Sequence, residues 1–520
     1  MMNRTRWFGA ALAATVACAA ESAAAADQAT IARGEYLARA GDCTACHTAE
    51  GGQPFAGGQA LQSPFGPIYA PNITPDRATG IGDWSDDDFY RAMHEGVGKH
   101  GQHLYPAFPY PWFTKVSRDD VLAIKAYLFS LPPVNARSHE TRLPFPFNIR
   151  AGIAGWNAAF VNFGEFRPDP AKSDQINRGA YLAEGLGHCG DCHTPKGPAM
   201  EPDTSKAYSG GAFDVWYAPN ITSDKKRGVG AWSDADLAAY LKTGLVRGKG
   251  VAVGPMSQTI HDSLAYLTDQ DINAIVAYLK DTRPIADYTP RRSADLSGPH
   301  ATGQSVYLTH CAYCHQVDGK GLEGKVPALS GDGAVQAKGP QDVVGVILGG
   351  RLAEGTYALM PPVGADMTDE EVAEAATYVR NAWSNAAPGV VGAGLVGQIR
   401  ARTTAMLSNS DNGAGNKDLC RADDTQPAVK ALDDPQNQID QTFTSMKQHP
   451  ESILPAIDKL IARARQLDPS EKQADIVNSL TQAYCRFEIK DGAGALDDKR
   501  RRLTRFSQLV YSELTSNGNE

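Results

Sequence analysis

The chain has 520 residues, too many for a single core at the usual size of roughly 150 residues per domain, so several modules are expected. Its 50 Lys and Arg against 59 Asp and Glu give a formal charge of −9, which argues against a nucleic-acid partner, since that role calls for a basic face.

The N-terminus reads as an export signal. Arg4 and Arg6 form a basic start, Trp7 to Ala20 is an apolar run too short to span a bilayer, and Ser22 to Ala26 is a small-residue cleavage region before Asp27. A signal peptide over 1–26 is therefore predicted. Thr15-Val-Ala-Cys18 is a poor lipoprotein box because it lacks a leading Leu, so simple cleavage is favoured over lipid attachment at Cys18.

From there the chain repeats itself. Arg33-Gly-Glu-Tyr36 opens an apolar helical pattern leading to Cys43-Thr-Ala-Cys46-His47, and Arg178-Gly-Ala-Tyr181 does the same before Cys189-Gly-Asp-Cys192-His193. Tyr69-Ala-Pro-Asn-Ile-Thr74 recurs as Tyr217-Ala-Pro-Asn-Ile-Thr222, and Trp84-Ser-Asp86 as Trp232-Ser-Asp234, both at an offset of 148. A shorter third copy runs from Gly303-Gln-Ser-Val-Tyr307 through Cys311-Ala-Tyr-Cys314-His315 to Val379-Arg380.

Each copy closes on a helical pattern, Val121 to Leu128, Ile272 to Leu279 and Val372 to Val379, with Asp119, Asp120, Asp269 and Asp369 placed where acid suits a helix N-terminus. Between the helices lie long Gly/Pro-rich loops, which a large cofactor can support by supplying the missing core. Pro-rich stretches at Leu131-Pro-Pro and Pro144-Phe-Pro-Phe-Asn148 link the first two copies, and 287–300 links the second to the third.

After Trp383 the composition turns Gly/Ala/Ser-rich, so 386–416 is expected to be loose. Helical spacing returns in 430–515, for instance at Ile453, Ile457, Leu460 and Ile461. The expected fold class is all-α: three tandem helical domains with long loops over 27–140, 170–285 and 296–385, then a linker and helical C-terminal extension over 386–520.

Cys-x-x-Cys-His is the attachment signature of c-type haem: two sulfurs on one side of a helical turn form thioethers and the adjacent His reaches the iron. A zinc site needs a second Cys or His pair nearby and a redox pair needs a βαβ setting, and neither pattern accompanies the three motifs. Cys43, Cys46, Cys189, Cys192, Cys311 and Cys314 are thus assigned to three covalently bound haem c groups. His47, His193 and His315 are assigned as iron ligands. Cys420 and Cys485 remain as a pair, and in an exported chain they are expected to form a disulfide.

The sixth ligand separates a closed carrier from an open haem. Met256, in Gly254-Pro-Met256 before the second closing helix, and Met360, in Met360-Pro-Pro362 before the third, are the assigned thioethers, with Met367 read as packing. In the first copy the offset of 148 carries Met256 onto Phe108, which cannot bind iron; His94, His100, His103 and Met93 are the nearby alternatives.

Together these features resemble the three-haem cytochrome c subunit of membrane-bound bacterial dehydrogenases acting on alcohols, aldehydes, gluconate and related sugars or polyols. The likeness covers roughly residues 30–383 and includes Leu104-Tyr-Pro-Ala107, Pro146-Phe-Asn-Ile-Arg150, Gly155-Trp-Asn157 and Met360-Pro-Pro362. It departs at Phe108, since members with Met in the Leu-Tyr-Pro-Ala segment bind the first haem through it, and in the long tail.

The resemblance implies a periplasmic subunit, associated with the outer face of the cytoplasmic membrane. It would take electrons from a large catalytic dehydrogenase subunit, a quinoprotein, flavoprotein or molybdenum enzyme, and deliver them to ubiquinone or a terminal oxidase. By the same likeness His47, His193 and His315 are proximal ligands, Met256 and Met360 distal ones, and no residue is catalytic. The competing readings are a stand-alone multihaem enzyme or a soluble shuttle with an open first haem. A peripheral membrane contact is the other open point: Leu503, Phe506, Leu509, Val510 and Leu514 share a helical face beside the basic Lys499-Arg-Arg-Arg502, which suits either a membrane surface or an ordinary packed helix.

Overall fold

The computed structural model describes residues 27–49, 51–246, 249–289, 301–324, 326–351, 357, 360–410, 439–470, 473–491 and 496–516. The expected signal peptide, Cys18 and Cys420 lie outside them.

The first unit runs from a helix over 27–40 (α1) into the short motif helix α2 (Cys43–His47). An antiparallel hairpin follows, β1 (Ala60–Ser63) against β2 (Gly66–Tyr69), then α3 (Asp86–Glu95), α4 (Tyr110–Phe113) and the closing helix α5 (Arg118–Ser130). Helix α6 (Ala151–Phe160) sits in the linker.

The second unit repeats the order: α7 (Asp174–Tyr181), a π-helical turn Leu182–Leu186, motif helix α8 (Cys189–His193), hairpin β3 (Gly211–Phe213) and β4 (Trp216–Ala218), α9 (Asp234–Thr243), α10 (Gly254–Asp262) and α11 (Asp269–Asp281). The third holds α12 (Ala301–His310), α13 (Ala312–His315), α14 (Gln341–Gly349) and α15 (Asp369–Asn381). Beyond it come α16 (Ala393–Ser410), α17 (Ile439–Gln448), α18 (Ile453–Leu467), α19 (Gln473–Asp491) and α20 (Leu496–Ser516).

The three units share one device, an opening helix pressed against a closing helix. A Cβ at Gly34 would fall 1.9 Å from the Ala123 carbonyl oxygen, one at Gly179 1.9 Å from that of Ala274, and one at Gly303 2.3 Å from that of Glu374. Only glycine permits such backbone contact. The closing helices start on matching caps, Ser117, Thr268 and Thr368, whose side-chain oxygens accept from the amides of Asp120, Asp271 and Glu371. In the first two units the capped turn is also tied to the opening helix, Arg33 pairing with Asp120 and Arg178 with Asp271.

One apolar cluster, including Leu37, Val116, Leu128, Leu182, Leu186, Ile260 and Leu279, runs through both the first and second units. The third unit packs separately around Val344, Ile347, Val372 and Ile399, and the C-terminal helices around Phe443, Ile457, Leu480 and Phe506.

Several expectations need correction. The Gly/Pro-rich loops contain two-stranded hairpins, and the Pro-rich linker contains α6. The stretch expected to be loose forms a helix over Ala393–Ser410, because Val396 and Ile399 bury against the third unit. Leu503, Phe506, Val510 and Leu514 point into the core of the extension, so that face is not a membrane surface. Among the described residues no helix is long and apolar enough to cross a membrane.

Candidate haem-binding sites

The chain enters the first two motif helices through residues in the left-handed region, Asp42 (φ 51°) and His188 (φ 32°). Burial is the main force on all six thiols: it pushes Cys189 up to about 11 and Cys43, Cys46, Cys192, Cys311 and Cys314 up to about 12. Reactive or metal-binding cysteines instead occupy electropositive settings that lower the pKa. Among the described residues no cluster of three or more His, Cys, Asp and Glu side chains could hold a metal ion.

The three motif histidines are held alike. His47 Nδ1 lies 2.8 Å from the Pro71 carbonyl oxygen, His193 Nδ1 2.7 Å from that of Pro219, and His315 Nδ1 3.0 Å from that of Pro327. A carbonyl can only accept, so Nδ1 carries the proton and Nε2 keeps its lone pair. Desolvation lowers the pKa of each imidazole, His315 to about 4, so the rings stay neutral. A neutral, carbonyl-oriented imidazole is the form that ligates a metal.

The doubled Tyr-Ala-Pro-Asn-Ile-Thr segment supplies two of these carbonyls. Asn72 Oδ1 accepts from the Thr74 amide and hydroxyl, while its Nδ2 donates to the Val134 carbonyl. Asn220 repeats this with Thr222 and Ile285. The segment following each of the first two closing helices thus fixes the carbonyl that orients the histidine. Sequence reasoning found the repeat but not this role, and the shared offset was the available signal.

In the third unit Cys311, Cys314, His315 and Met360 line one cavity, walled by Val326, Pro327, Val343, Val346, Pro361 and Val379. Met360 is held by a backbone bridge to Arg351. Two sulfurs, a neutral imidazole and a thioether around an apolar space fit a covalently attached haem. Val251 and Val253 of the second unit also line this cavity, just before Met256. Met256 itself lies in the first turn of α10 rather than in a loop, half-buried against the core shared by the first two units. Met367 is buried in the third unit's core, as packing.

The first unit differs. Phe108 packs against Tyr110 and Phe113, with ring centroids 6.4 and 5.6 Å away. Met93 is buried in the apolar cluster, His94 stacks on Tyr90 beside the Thr114 hydroxyl, and His100 is exposed. His103 differs from its neighbours in holding a ring nitrogen, Nδ1, buried without a hydrogen-bond partner.

Two family models match the chain: cytochrome c over residues 31–132 and 176–283, and cytochrome c oxidase, cbb3-type, subunit III over 298–379. The chain is 37% identical over 418 residues to the gluconate 2-dehydrogenase cytochrome c subunit of Pantoea cypripedii, covering 76% of this chain and 93% of that protein. It is 40% identical to the fructose dehydrogenase cytochrome subunit of Gluconobacter japonicus, covering 73% and 84% of the two. Against the cytochrome c subunit of quinone-dependent alcohol dehydrogenase from Gluconobacter oxydans it is 35% identical, covering 74% and 85%. With cytochrome c domains, Cys-x-x-Cys-His motifs and this degree of likeness, the chain belongs to the family of cytochrome c subunits of dehydrogenase complexes, electron-transfer proteins that hold haem c covalently.

Proposed function

We propose that the chain carries three haem c groups, one per motif, and passes electrons from a large catalytic dehydrogenase subunit to ubiquinone or a terminal oxidase. In this reading it works in the periplasm at the outer face of the cytoplasmic membrane. The domain division is 27–140, 170–285 and 296–385, with the extension over 386–520. Cys43 and Cys46, Cys189 and Cys192, and Cys311 and Cys314 hold the groups, His47, His193 and His315 are proximal ligands, and Met256 and Met360 are distal ones.

The observation that carries this reading is the threefold imidazole–proline carbonyl bond at 2.7–3.0 Å, since it prepares an Nε2 donor beside each cysteine pair. The haem supplies one-electron chemistry, with a potential set by axial ligand and burial. The protein's part is to orient the imidazoles, exclude water with apolar walls, and hold the units in fixed contact. The second and third units meet where the Tyr217 amide donates to Asp342 Oδ1 at 2.9 Å and the Gly333 amide to the Lys249 carbonyl at 3.1 Å.

A test is co-purification from the native membrane fraction. A large dehydrogenase subunit that reduces the bound cytochrome when given its own substrate is the expected result. Purification without a partner, together with substrate turnover by the chain itself, would overturn the reading.

A further inference from the structure

The first two motif helices are covered by the opposite unit. Trp112 of the first unit lies so close over Gly190 in α8 that a Cβ there would come within 2.4 Å of the indole. In return α10 of the second unit packs on α2, with the Ser263 hydroxyl 3.4 Å from the Ala40 carbonyl oxygen.

The third motif helix is covered by α20, near the end of the extension. The Tyr511 ring lies on Tyr313, inside Cys311-Ala-Tyr-Cys314, with centroids 4.7 Å apart. Gln508 Nε2 is 3.4 Å from His310 Nδ1, and the Thr504 hydroxyl donates to the Pro362 carbonyl at 3.3 Å. One helix therefore rests both on the segment bearing the cysteines and on the segment that follows Met360, leaving Tyr313 6% exposed. The helix has a firm backing: Leu503, Phe506 and Val510 are in the extension's core, and Arg502 pairs with the buried Glu488 at 2.6 Å. The family matches end at residue 379, well before this helix.

We propose that α20 is a cap over the thioether edge of the third haem site. It closes that edge to small redox reagents and partner proteins, and leaves contact with the second unit, through Val251 and Val253, as the way electrons reach it. The inference rests on the reading of Cys311 and Cys314 as a haem attachment.

The test uses full-length holoprotein whose haems have first been counted by intact mass, mixed in the oxidised form with dithionite over a range of concentrations. At least one of the three equivalents should reduce at a rate proportional to the reagent. The third should level off at a concentration-independent rate, the mark of an internal step. Tyr511→Ala should restore proportionality to that third equivalent, whereas Tyr511→Phe, which keeps the ring, should behave as the native protein. If circular dichroism shows that Tyr511→Ala does not fold, the native trace decides alone. A third native equivalent that scales with dithionite, or a folded Tyr511→Ala that still levels off, overturns the cap. A mass showing only two haems overturns the third-site reading instead.

Discussion

The phenol of Tyr36 in the first unit donates to Asp271 Oδ2 of the second at 2.6 Å, and Tyr181 of the second returns the bond to Asp120 Oδ2 of the first at 2.5 Å. Each phenol also accepts an amide from the partner unit's helix cap region, Thr268 for Tyr36 and Ser117 for Tyr181. The two units are thus joined by a reciprocal, pseudo-twofold exchange, in which the carboxylate that Arg33 or Arg178 already holds is shared with the neighbouring unit.

Removing either hydroxyl should weaken the junction by about 1.5 kcal/mol, the usual contribution of a hydrogen bond to a charged acceptor. Tyr36→Phe and Tyr181→Phe should therefore lower the thermal midpoint of the holoprotein by similar amounts. An effect confined to one of the two would contradict the exchange.

The first haem should differ from the others. Its repeat-equivalent distal position is Phe108, and His103 is the neighbouring histidine with a buried, unpartnered ring nitrogen. Ligation by His103 removes the thioether that raises the potential, so this haem should titrate below the other two. His103→Ala should then make it bind carbon monoxide when reduced, and Phe108→Met should add a thioether-type near-infrared band. Three equivalent His/Met spectra in the native protein would defeat the argument and point to Met93.

Asp342 lies at the wall of the third cavity and accepts from the Tyr217 amide. Burial, the dominant cause, raises its carboxyl from 3.8 to about 7, opposed by the Tyr217 amide and Arg380. A carboxyl with a raised folded pKa contributes stability that is complete below 3.8 and is lost as pH climbs through about 7. Thermal stability of the wild type should fall across that window relative to Asp342→Asn, which keeps the amide acceptor. The third haem's potential should fall in parallel, because a negative charge forms nearby. Parallel pH profiles for the two proteins would count against this.

Cys485 is disulfide-bonded and fully buried in α19. With Cys420 as its partner, the assignment made from the cysteine count, thiol labelling of denatured, unreduced apoprotein should mark neither residue. The closed loop should contribute about 4 kcal/mol to the extension in the chain-entropy model. Label on both Cys420 and Cys485 would refute the pairing.

The haem motifs, the unit order and the closing helices were legible because they rest on local spacing. Met360 was read in the same way, by its place relative to the motif, and it lines the cavity that His315 also lines. Tyr36 and Tyr181 stood out only as parts of a repeat. Their partners are more than 60 residues away in sequence, and a pattern read along the chain cannot reveal which aspartate a phenol will meet in space. The same limit hid the carbonyls of Pro71, Pro219 and Pro327. The last helix was ambiguous because an amphipathic face looks alike whether it meets lipid or protein. Here it meets protein, with Phe443 against Phe506 and Tyr313 against Tyr511.

The central claim, that this chain is a three-haem electron carrier, is tested most directly by the intact mass of the exported protein. The account predicts the mass of the processed polypeptide plus three haems, with peptide mapping placing one on each of the pairs Cys43/Cys46, Cys189/Cys192 and Cys311/Cys314. A gain of two haem masses, or a pair recovered as free thiols, would contradict it.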